Sequence, residues 1–249
     1  MFRGLPVNTF VDFAAKSAVG LRHPDNQDRI LTRVLTGEGV LLAVADGMGG
    51  AVAGGLASEV AIRFLEQALN GASIDPEVLT EALRRAGEEI ASLSLSREDL
   101  EGMGTTLTVV AIEDGKACWA HVGDSRLYHF GAGGLRQVSR DHRFLQDLID
   151  CGDVTPEELP LHPLRNVLDQ CLGCPALRPD SGMFHVEAGD LLLLTSDGVH
   201  DHVFAERMIE LLRSHQSLEE IADALIAEAK QAGSTDDVSA VLGRVMGRT

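Results

Sequence analysis

Long apolar runs, a secretion signal and abundant basic residues are all missing from this chain of 249 residues. No stretch approaches the roughly 20 apolar residues that span a bilayer, and no basic region followed by an apolar run stands near the start. The chain has only 21 Lys and Arg but 38 Asp and Glu, which gives a net charge of -17. Phosphate backbones and anionic membranes repel such a chain, so we expect neither nucleic acid nor a membrane as a partner.

Cysteine is scarce as well, with four residues in the whole chain. Four cysteines are too few for a disulfide framework at this length, so a reducing cytoplasm is the expected location. Cys171 and Cys174 have the C-x-x-C spacing of some zinc and redox sites. Because no second pair and no strand–helix redox context accompany them, we favour two small buried residues near a turn.

Repeats and low-complexity linkers are also absent, so residues 1–249 are expected to form one domain. The hydrophobic content of 45% is ample for a packed core. Apolar and β-branched segments predict strands: Thr9–Ala18, Ile30–Val34, Leu41–Ala45, Thr105–Ile112, Ala117–Val122, Arg126–Phe130, Leu191–Thr195 and Val238–Val245. Periodicity and capping residues predict helices: Val52–Asn70, Asp75–Leu95, Asp141–Cys151, a short one from Thr155, and two after Thr195, the second from Ser217. This order does not alternate as βαβ units do, so it favours an α+β layered sandwich of antiparallel sheets covered by helix pairs.

Aspartates recur where the predicted strands begin or end, usually beside a glycine or another acid. They are Asp28, Asp46 with Gly47, Asp124, Asp197 followed by Asp201, and Asp236 with Asp237. Each one alone is best interpreted as a turn residue or a helix cap. If they converge, two carboxylates about 4 Å apart repel by about 4 kcal/mol at an effective dielectric of 20, so cations must accompany them. Oxygen ligands without His or Cys favour Mg²⁺ or Mn²⁺ over zinc.

The order of the motifs around these aspartates resembles that of the metal-dependent protein phosphatases, the type 2C-like serine/threonine phosphatases, here of bacterial style. The motifs are Asn26–Asp28, Asp46–Gly50, Gly102–Thr106, Val122–Arg126, Ser196–Asp201 and Thr235–Val238. Ser139–His142 and His162–Val167 are similar to the flap of that family, placed here at about 141–179. The resemblance implies a four-layer α-β-β-α sandwich with two central antiparallel sheets flanked by helix pairs.

The resemblance also implies a set of roles. Asp46 would bridge two Mn²⁺ or Mg²⁺ ions, and the Gly47 carbonyl would bind one of them. Asp197 and Asp236 would complete the shell of the second ion, and Asp28 would hold metal-bound waters. Asp124 and Asp201, with Asp197, would form a possible third metal site. Gly104–Thr106 is interpreted as structural.

The chain departs from the family pattern at three places. His23 stands where the family usually has a phosphate-gripping arginine, and Arg22 lies one residue earlier. We favour Arg22 for that role, because a guanidinium grips phosphate in a bidentate way. Ala51 and Gly55 replace a usual histidine and glutamate, which predicts slower turnover if that histidine protonates the leaving group. The last motif normally ends in Asp-Asn and is Asp236–Asp237 here.

The predicted function is hydrolysis of phosphoserine and phosphothreonine in proteins, with Arg22, Asp46 and Asp197 as the catalytic residues. The substrates are expected to be phosphoproteins made by a serine/threonine kinase, and the chain is expected to act as a monomer in signalling. One alternative is a catalytically weak, phosphatase-like regulatory module that acts through partners. Another is a phosphohydrolase of small molecules, for which no pocket motif is visible.

Overall fold

Two five-stranded antiparallel sheets form the centre of the computed structural model, which describes residues 10–22, 24–35, 39–50, 53–69, 74–155, 158, 162–214 and 216–247. The first sheet has the order β1 (Phe10–Ala18), β12 (Val238–Met246), β11 (Leu191–Thr195), β8 (Arg126–Gly131) and β9 (Gly134–Gln137). The second has the order β10 (Asp180–His185), β7 (Lys116–Val122), β6 (Leu107–Glu113), β3 (Val40–Ala45) and β2 (Arg29–Val34). A two-stranded ribbon joins β4 (Gly47–Met48) to β5 (Gly104–Thr105).

Helices cover the outer faces of both sheets. Their bounds are α1 (Ala53–Ala68), α2 (Pro76–Ser96), α3 (Gln146–Cys151), α4 (Asp197–His200), α5 (Ala205–Arg213) and α6 (Leu218–Gln231), with a 3₁₀ turn at Glu98–Leu100. Asp75 caps α2 by accepting the Val78 N–H at 2.9 Å. Ser217 and Glu220 form the capping box that starts α6.

The alternation of side chains along the central strands creates four layers. On β3, Leu41 and Ala43 pack against the layer of α1 and α2, whereas Leu42 and Val44 pack between the two sheets. On β11, Leu193 faces the layer of α5 and α6. Both strands are continuous apolar runs because each is buried on its two faces. The predicted α-β-β-α sandwich is confirmed.

Most of the predicted elements are present, but the region after β9 and the region after β11 were predicted wrongly. Residues 141–145 are not helical, and α3 begins only at Gln146, because Asp141 and Arg143 are engaged in ion pairs with other elements. Three helices, not two, follow β11, since α4 starts directly at Asp197. Strands β9 and β10 were not predicted, because their side chains are largely exposed and lack an apolar pattern.

Some predicted features fall partly or wholly on residues outside the described ranges. Both ends of the first predicted helix, at Val52 and Asn70, lie outside them, and so do residues 156 and 157 of the predicted capping box. Thr155 and Glu158 are described, and they exchange the two expected hydrogen bonds: Thr155 N–H to Glu158 Oε2 at 2.9 Å, and Glu158 N–H to Thr155 Oγ1 at 3.3 Å. Among the described helices, none is long and apolar enough to cross a membrane.

Cys171 and Cys174 were interpreted as two small buried residues near a turn, and that interpretation is wrong because it missed the bond between them. Their sulfur atoms are joined in a disulfide, while Cys118 and Cys151 are free. The three-residue separation, which suggested a turn, is also what brings the two sulfurs together. Leu172, inside this loop, exchanges backbone hydrogen bonds with Thr105 at 3.1 and 2.9 Å, so the loop borders β5.

Candidate metal centre

Strand pairing brings the predicted acidic residues to one end of the two sheets. Arg29 pairs with Ala45 across β2 and β3, which puts Asp28 beside Asp46 at the same edge. In the other sheet, Thr195 pairs with Ala240, so Asp197 and Asp236 also lie near each other at the ends of their strands. A cleft of about 240 Å³ is lined by residues from both sheets, among them Asp46, Gly47, Asp124, Asp197 and Asp236.

Three hydrogen bonds fix the backbone of Asp46. Its N–H donates to Thr106 Oγ1 at 2.9 Å, and its carbonyl accepts from Thr105 Oγ1 at 2.8 Å and from the Thr106 N–H at 2.9 Å. The structural role predicted for Gly104–Thr106 is thereby supported. The following residue must be glycine, because a Cβ at Gly47 would lie 2.2 Å from the Gly54 carbonyl oxygen.

Asp28 and Asp197 each have a buried carboxylate oxygen without a hydrogen-bond partner among the described residues. Asp28 Oδ2 accepts from Ser196 Oγ at 2.8 Å and from Ser239 Oγ at 2.6 Å, while its Oδ1 stays unpartnered. Buried carboxylate oxygens are almost always satisfied by a donor, water or an ion. These two oxygens are therefore suited to a ligand that brings positive charge.

Burial and mutual repulsion raise the pKa of the central carboxyls. Burial is the largest cause for Asp28, whose pKa is raised to about 7. It also raises the pKa of Asp46 and Asp197 well above the usual value, with further contributions from neighbouring aspartates, Asp28 first for Asp46 and Asp124 first for Asp197. Both causes disfavour negative charge, so a divalent cation bound here would stabilise the ionised site.

Arg22 is the basic residue that the structure places in this cleft. Its Nη1 forms an ion pair with Asp236 Oδ2, and its side chain lines both this cleft and an adjoining one of about 650 Å³. Backbone bonds from Leu21 N–H and Arg22 N–H to the Thr235 carbonyl, at 2.7 and 3.1 Å, hold its loop. The competing candidate, His23, lies outside the described residues.

Asp237, which stands where the family usually has asparagine, has a structural role that sequence reasoning missed. Its Oδ1 accepts the Gly20 N–H and its Oδ2 accepts the Gln27 N–H, both at 2.7 Å. Its carboxylate therefore ties down both ends of the segment that carries Arg22. A second acid beside Asp236 was the only signal in the sequence, and it did not identify these partners.

Arg143 is a second residue that sequence reasoning missed. Its guanidinium is buried, and Nε donates to Asp124 Oδ2 at 2.9 Å while Nη2 donates to Asp201 Oδ1 at 3.3 Å. Arg126 binds the neighbouring carboxylate of Asp141 through Nε and Nη2, at 2.9 and 2.7 Å. No periodicity or motif in the sequence signals that a cation would reach Asp124.

The predicted ligands differ in how well they fit metal ions. Asp28 and Asp197 have free carboxylate oxygens, so the central group fits hard cations. Asp124 and Asp201 differ from the central group, because both accept hydrogen bonds from the Arg143 guanidinium. Among the described residues no three His, Cys, Asp or Glu side chains form a ready-made ligand set, in keeping with the engagement of Asp236 by Arg22.

The histidines contribute to packing and to the walls of the cleft. His121 is fully buried, and its Nδ1 is hydrogen-bonded to Thr108 Oγ1 at 2.8 Å. Burial lowers its pKa to about 4, so its ring is neutral. His200 hydrogen-bonds Thr195 Oγ1 at 2.8 Å, and His202 lines the larger cleft beside Asp201.

Comparisons with known proteins agree on one family. A family model described as protein phosphatase 2C matches residues 22–243. The chain is 36% identical over 243 residues to the serine/threonine protein phosphatase PstP of Mycobacterium tuberculosis, covering 96% of this chain and 46% of PstP. It therefore spans about half the length of that relative. It is 34% identical over 230 residues to the protein phosphatase PhpP of Streptococcus pneumoniae, covering 90% of this chain and 93% of PhpP.

Solved structures give the same result. The catalytic domain of PstP in complex with two manganese ions superposes with a TM-score of 0.86 at 34% identity, covering 96% of this chain and 99% of that one. The serine/threonine phosphatase of S. agalactiae superposes with a TM-score of 0.88 at 28% identity, covering 94% and 99%. The resemblance noted in the sequence thus extends to the whole fold.

Proposed function

This chain belongs to the protein phosphatase 2C family, and on that premise we propose that it hydrolyses phosphoserine and phosphothreonine esters in proteins. The observation that carries the proposal is the group of aspartates at and beside this cleft, in which Asp28 and Asp197 each have a buried carboxylate oxygen without a partner among the described residues. Two divalent ions held there would lower the pKa of a water between them and offset charge on the phosphoryl oxygens.

We assign the ligands as the resemblance implies. Asp46 would bridge the two ions, and the Gly47 carbonyl would bind one of them. Asp197 and Asp236 would complete the shell of the other. Asp28 is fixed by Ser196 and Ser239 through Oδ2, so its Oδ1 can accept a hydrogen bond from water at the site. The donors are all oxygens, which suits Mn²⁺ or Mg²⁺.

Arg22 is the residue that we propose binds the substrate phosphate. It lies at the boundary of the two clefts, where a phosphoprotein can approach from the larger one. Its ion pair with Asp236 is half-exposed on the arginine side, so exchanging that partner for a phosphate costs little. The guanidinium fork can donate two parallel hydrogen bonds to phosphate oxygens.

The finer expectations extend this proposal. The substrates are phosphoproteins made by a serine/threonine kinase in a signalling pathway, and the chain acts as a monomer. The net charge of -17 favours a site charged with metal over binding to nucleic acid or anionic lipid. The cytoplasmic location stays a prediction from composition.

The regulatory-module alternative is not favoured. Three departures from the family pattern motivate it, namely Ala51, Gly55 and the shifted Arg22, and of these Ala51 lies outside the described residues. Gly55 lies on α1, and among the described residues a Cβ there would meet only Arg29 Nη2, at 3.8 Å. The named relatives are phosphatases, and every predicted ligand of the two-ion centre is present in the sequence.

Phosphate release from a phosphothreonine peptide by the purified chain, with Mn²⁺ and with EDTA, tests the proposal. We expect the unmodified chain to release phosphate with Mn²⁺ and not with EDTA. We expect Asp46→Asn to release none in either condition. Asp114→Asn, in the exposed β6–β7 turn, is the charge-matched control and should retain activity. No turnover with Mn²⁺, or equal activity in Asp46→Asn, would overturn the proposal. Preference for phosphorylated metabolites over phosphopeptides would overturn the substrate class.

A further inference from the structure

The side chain of Arg143 is a buried cation whose partners are acids of the candidate site. Only 5% of it is exposed, and it is shared between Asp124, at 2.9 Å, and Asp201, at 3.3 Å. Asp141 Oδ2 lies 3.8 Å from the same Nε. A guanidinium presents several donors in one plane, which lets one side chain serve several carboxylates.

The surroundings of Arg143 hold it in this position. Its backbone forms an isolated bridge with Leu168, and its carbonyl accepts the Gln146 N–H at 2.8 Å at the start of α3. Asp141 is occupied by Arg126 through a bidentate contact. Since Asp141 already has a cation, the charge of Arg143 is left for Asp124 and Asp201.

Asp124 and Asp201 are two of the three carboxylates, with Asp197, that the resemblance assigns to a third metal ion. A divalent ion there would compete with Arg143 for Asp124 Oδ2 and Asp201 Oδ1, the oxygens that accept its hydrogen bonds at 2.9 and 3.3 Å. It would also lie within a few ångströms of the guanidinium of Arg143, and the two like charges would repel each other. The two cations therefore exclude each other.

We propose that Arg143 is a built-in substitute for the third metal ion, so that this chain binds no divalent cation between Asp124 and Asp201. The inference deepens the proposed two-ion centre but is measured separately from it. Arg143 then places one positive charge at the position where another member of the family would bind a divalent ion, which carries two. The charge of this subsite becomes independent of the metal concentration.

Counting bound Mn²⁺ by equilibrium dialysis and elemental analysis tests the substitution, with no use of activity. We expect two ions on the unmodified chain and one additional, weaker ion on Arg143→Ser. Arg140→Ser is the matched control, because it removes the same charge three residues away from an exposed arginine that pairs with Asp147 and Asp150. This control should bind the same number of ions as the unmodified chain.

Asp201→Asn locates the additional ion. In the Arg143→Ser background it should abolish the gain, whereas in the unmodified chain it should leave the count unchanged. If the single Asp201→Asn variant binds one Mn²⁺ ion fewer than the unmodified chain, the inference is overturned. This measurement does not depend on whether Arg143→Ser folds. A folded Arg143→Ser chain with no gain would also overturn it.

The two proposals fail in distinguishable ways. If the two-ion centre does not exist, the unmodified chain binds fewer than two Mn²⁺ ions, and Asp46→Asn does not change that number. Failure of the Arg143 substitution appears as a missing difference between Arg143→Ser and the unmodified chain, whatever the starting count. The difference, rather than the total, is therefore the quantity that decides.

Discussion

Two adjacent glycines at the start of α1 should respond in opposite ways to the same substitution. A Cβ at Gly54 would lie 2.3 Å from Gln27 Oε1 and 2.8 Å from both C and O of Gly47. Within the described part of the chain, the nearest atom to a Cβ at Gly55 would be Arg29 Nη2, at 3.8 Å. Neither glycine has a positive φ, so alanine suits the backbone of both, and only the space around the Cβ distinguishes them.

The space around each Cβ determines the expected change in the free energy of unfolding. Overpacking of a fixed backbone typically costs about 1–3 kcal/mol, so Gly54→Ala should lower the free energy of unfolding by about that amount. Gly55→Ala should raise it by about 0.5 kcal/mol, the low end of the gain for a helical glycine. For a chain of this size 1 kcal/mol corresponds to about 2–4 °C in Tm.

Thermal unfolding of both variants, in EDTA and in Mn²⁺, measures the effect. Gly54 contacts the residue whose carbonyl we assign as a metal ligand, so Gly54→Ala should also reduce the stabilisation that Mn²⁺ provides. Gly55→Ala should keep that stabilisation unchanged. Equal Tm values for the two variants would refute the argument, because no contact other than that of the Cβ separates them.

Three further predictions concern the loop, the core and the phosphate site. Asp237→Ala should lower the free energy of unfolding by at least about 3 kcal/mol in urea titrations, because it removes two hydrogen bonds to a charged group from the N–H groups of Gly20 and Gln27; a loss below about 1 kcal/mol contradicts this. The pKa of buried His121 is lowered from 6.5 to about 4, so the stability it contributes is full above pH 6.5 and is lost as the pH falls toward 4, on the order of 3 kcal/mol. His121→Gln should flatten that part of the pH–stability curve, and parallel curves for the two proteins would count against it. Arg22→Ala should mainly raise KM for a phosphopeptide and change kcat less, and an unchanged KM would remove Arg22 from the phosphate site.

The layered fold was predictable because its central strands are buried on both faces. Leu41–Ala45 and Leu191–Thr195 are apolar almost throughout, and short continuous apolar runs of this kind are typical of strands that are covered on two sides. Strands β9 and β10 escaped prediction for the opposite reason, since exposed edges tolerate polar residues and leave no pattern. Local sequence likewise could not show that α3 starts late, because long-range ion pairs hold Asp141 and Arg143.

Some residues of the candidate site were also predictable from the sequence, and others were not. Asp46 and Gly47 were predicted because aspartates recur at the ends of the predicted strands and their motifs follow the order typical of the family. Asp237 and Arg143 did not, because their roles depend on partners more than 200 residues and 19 residues away, respectively. The sequence therefore predicted which groups would bind metal ions, and the structure was needed to find the neighbouring groups, Asp237 and Arg143, that anchor the loop or pair with the acids.

The central claim is that Asp46 is shared by two ions, and a calorimetric Mn²⁺ titration of the unmodified chain, Asp46→Asn and Asp114→Asn tests it most directly. A shared ligand affects both ions at once, so Asp46→Asn should lose both tight binding events while Asp114→Asn retains them. Loss of one event alone would show that Asp46 is not shared. Retention of both would contradict the assignment of Asp46 as a ligand and, with it, the proposed two-ion centre.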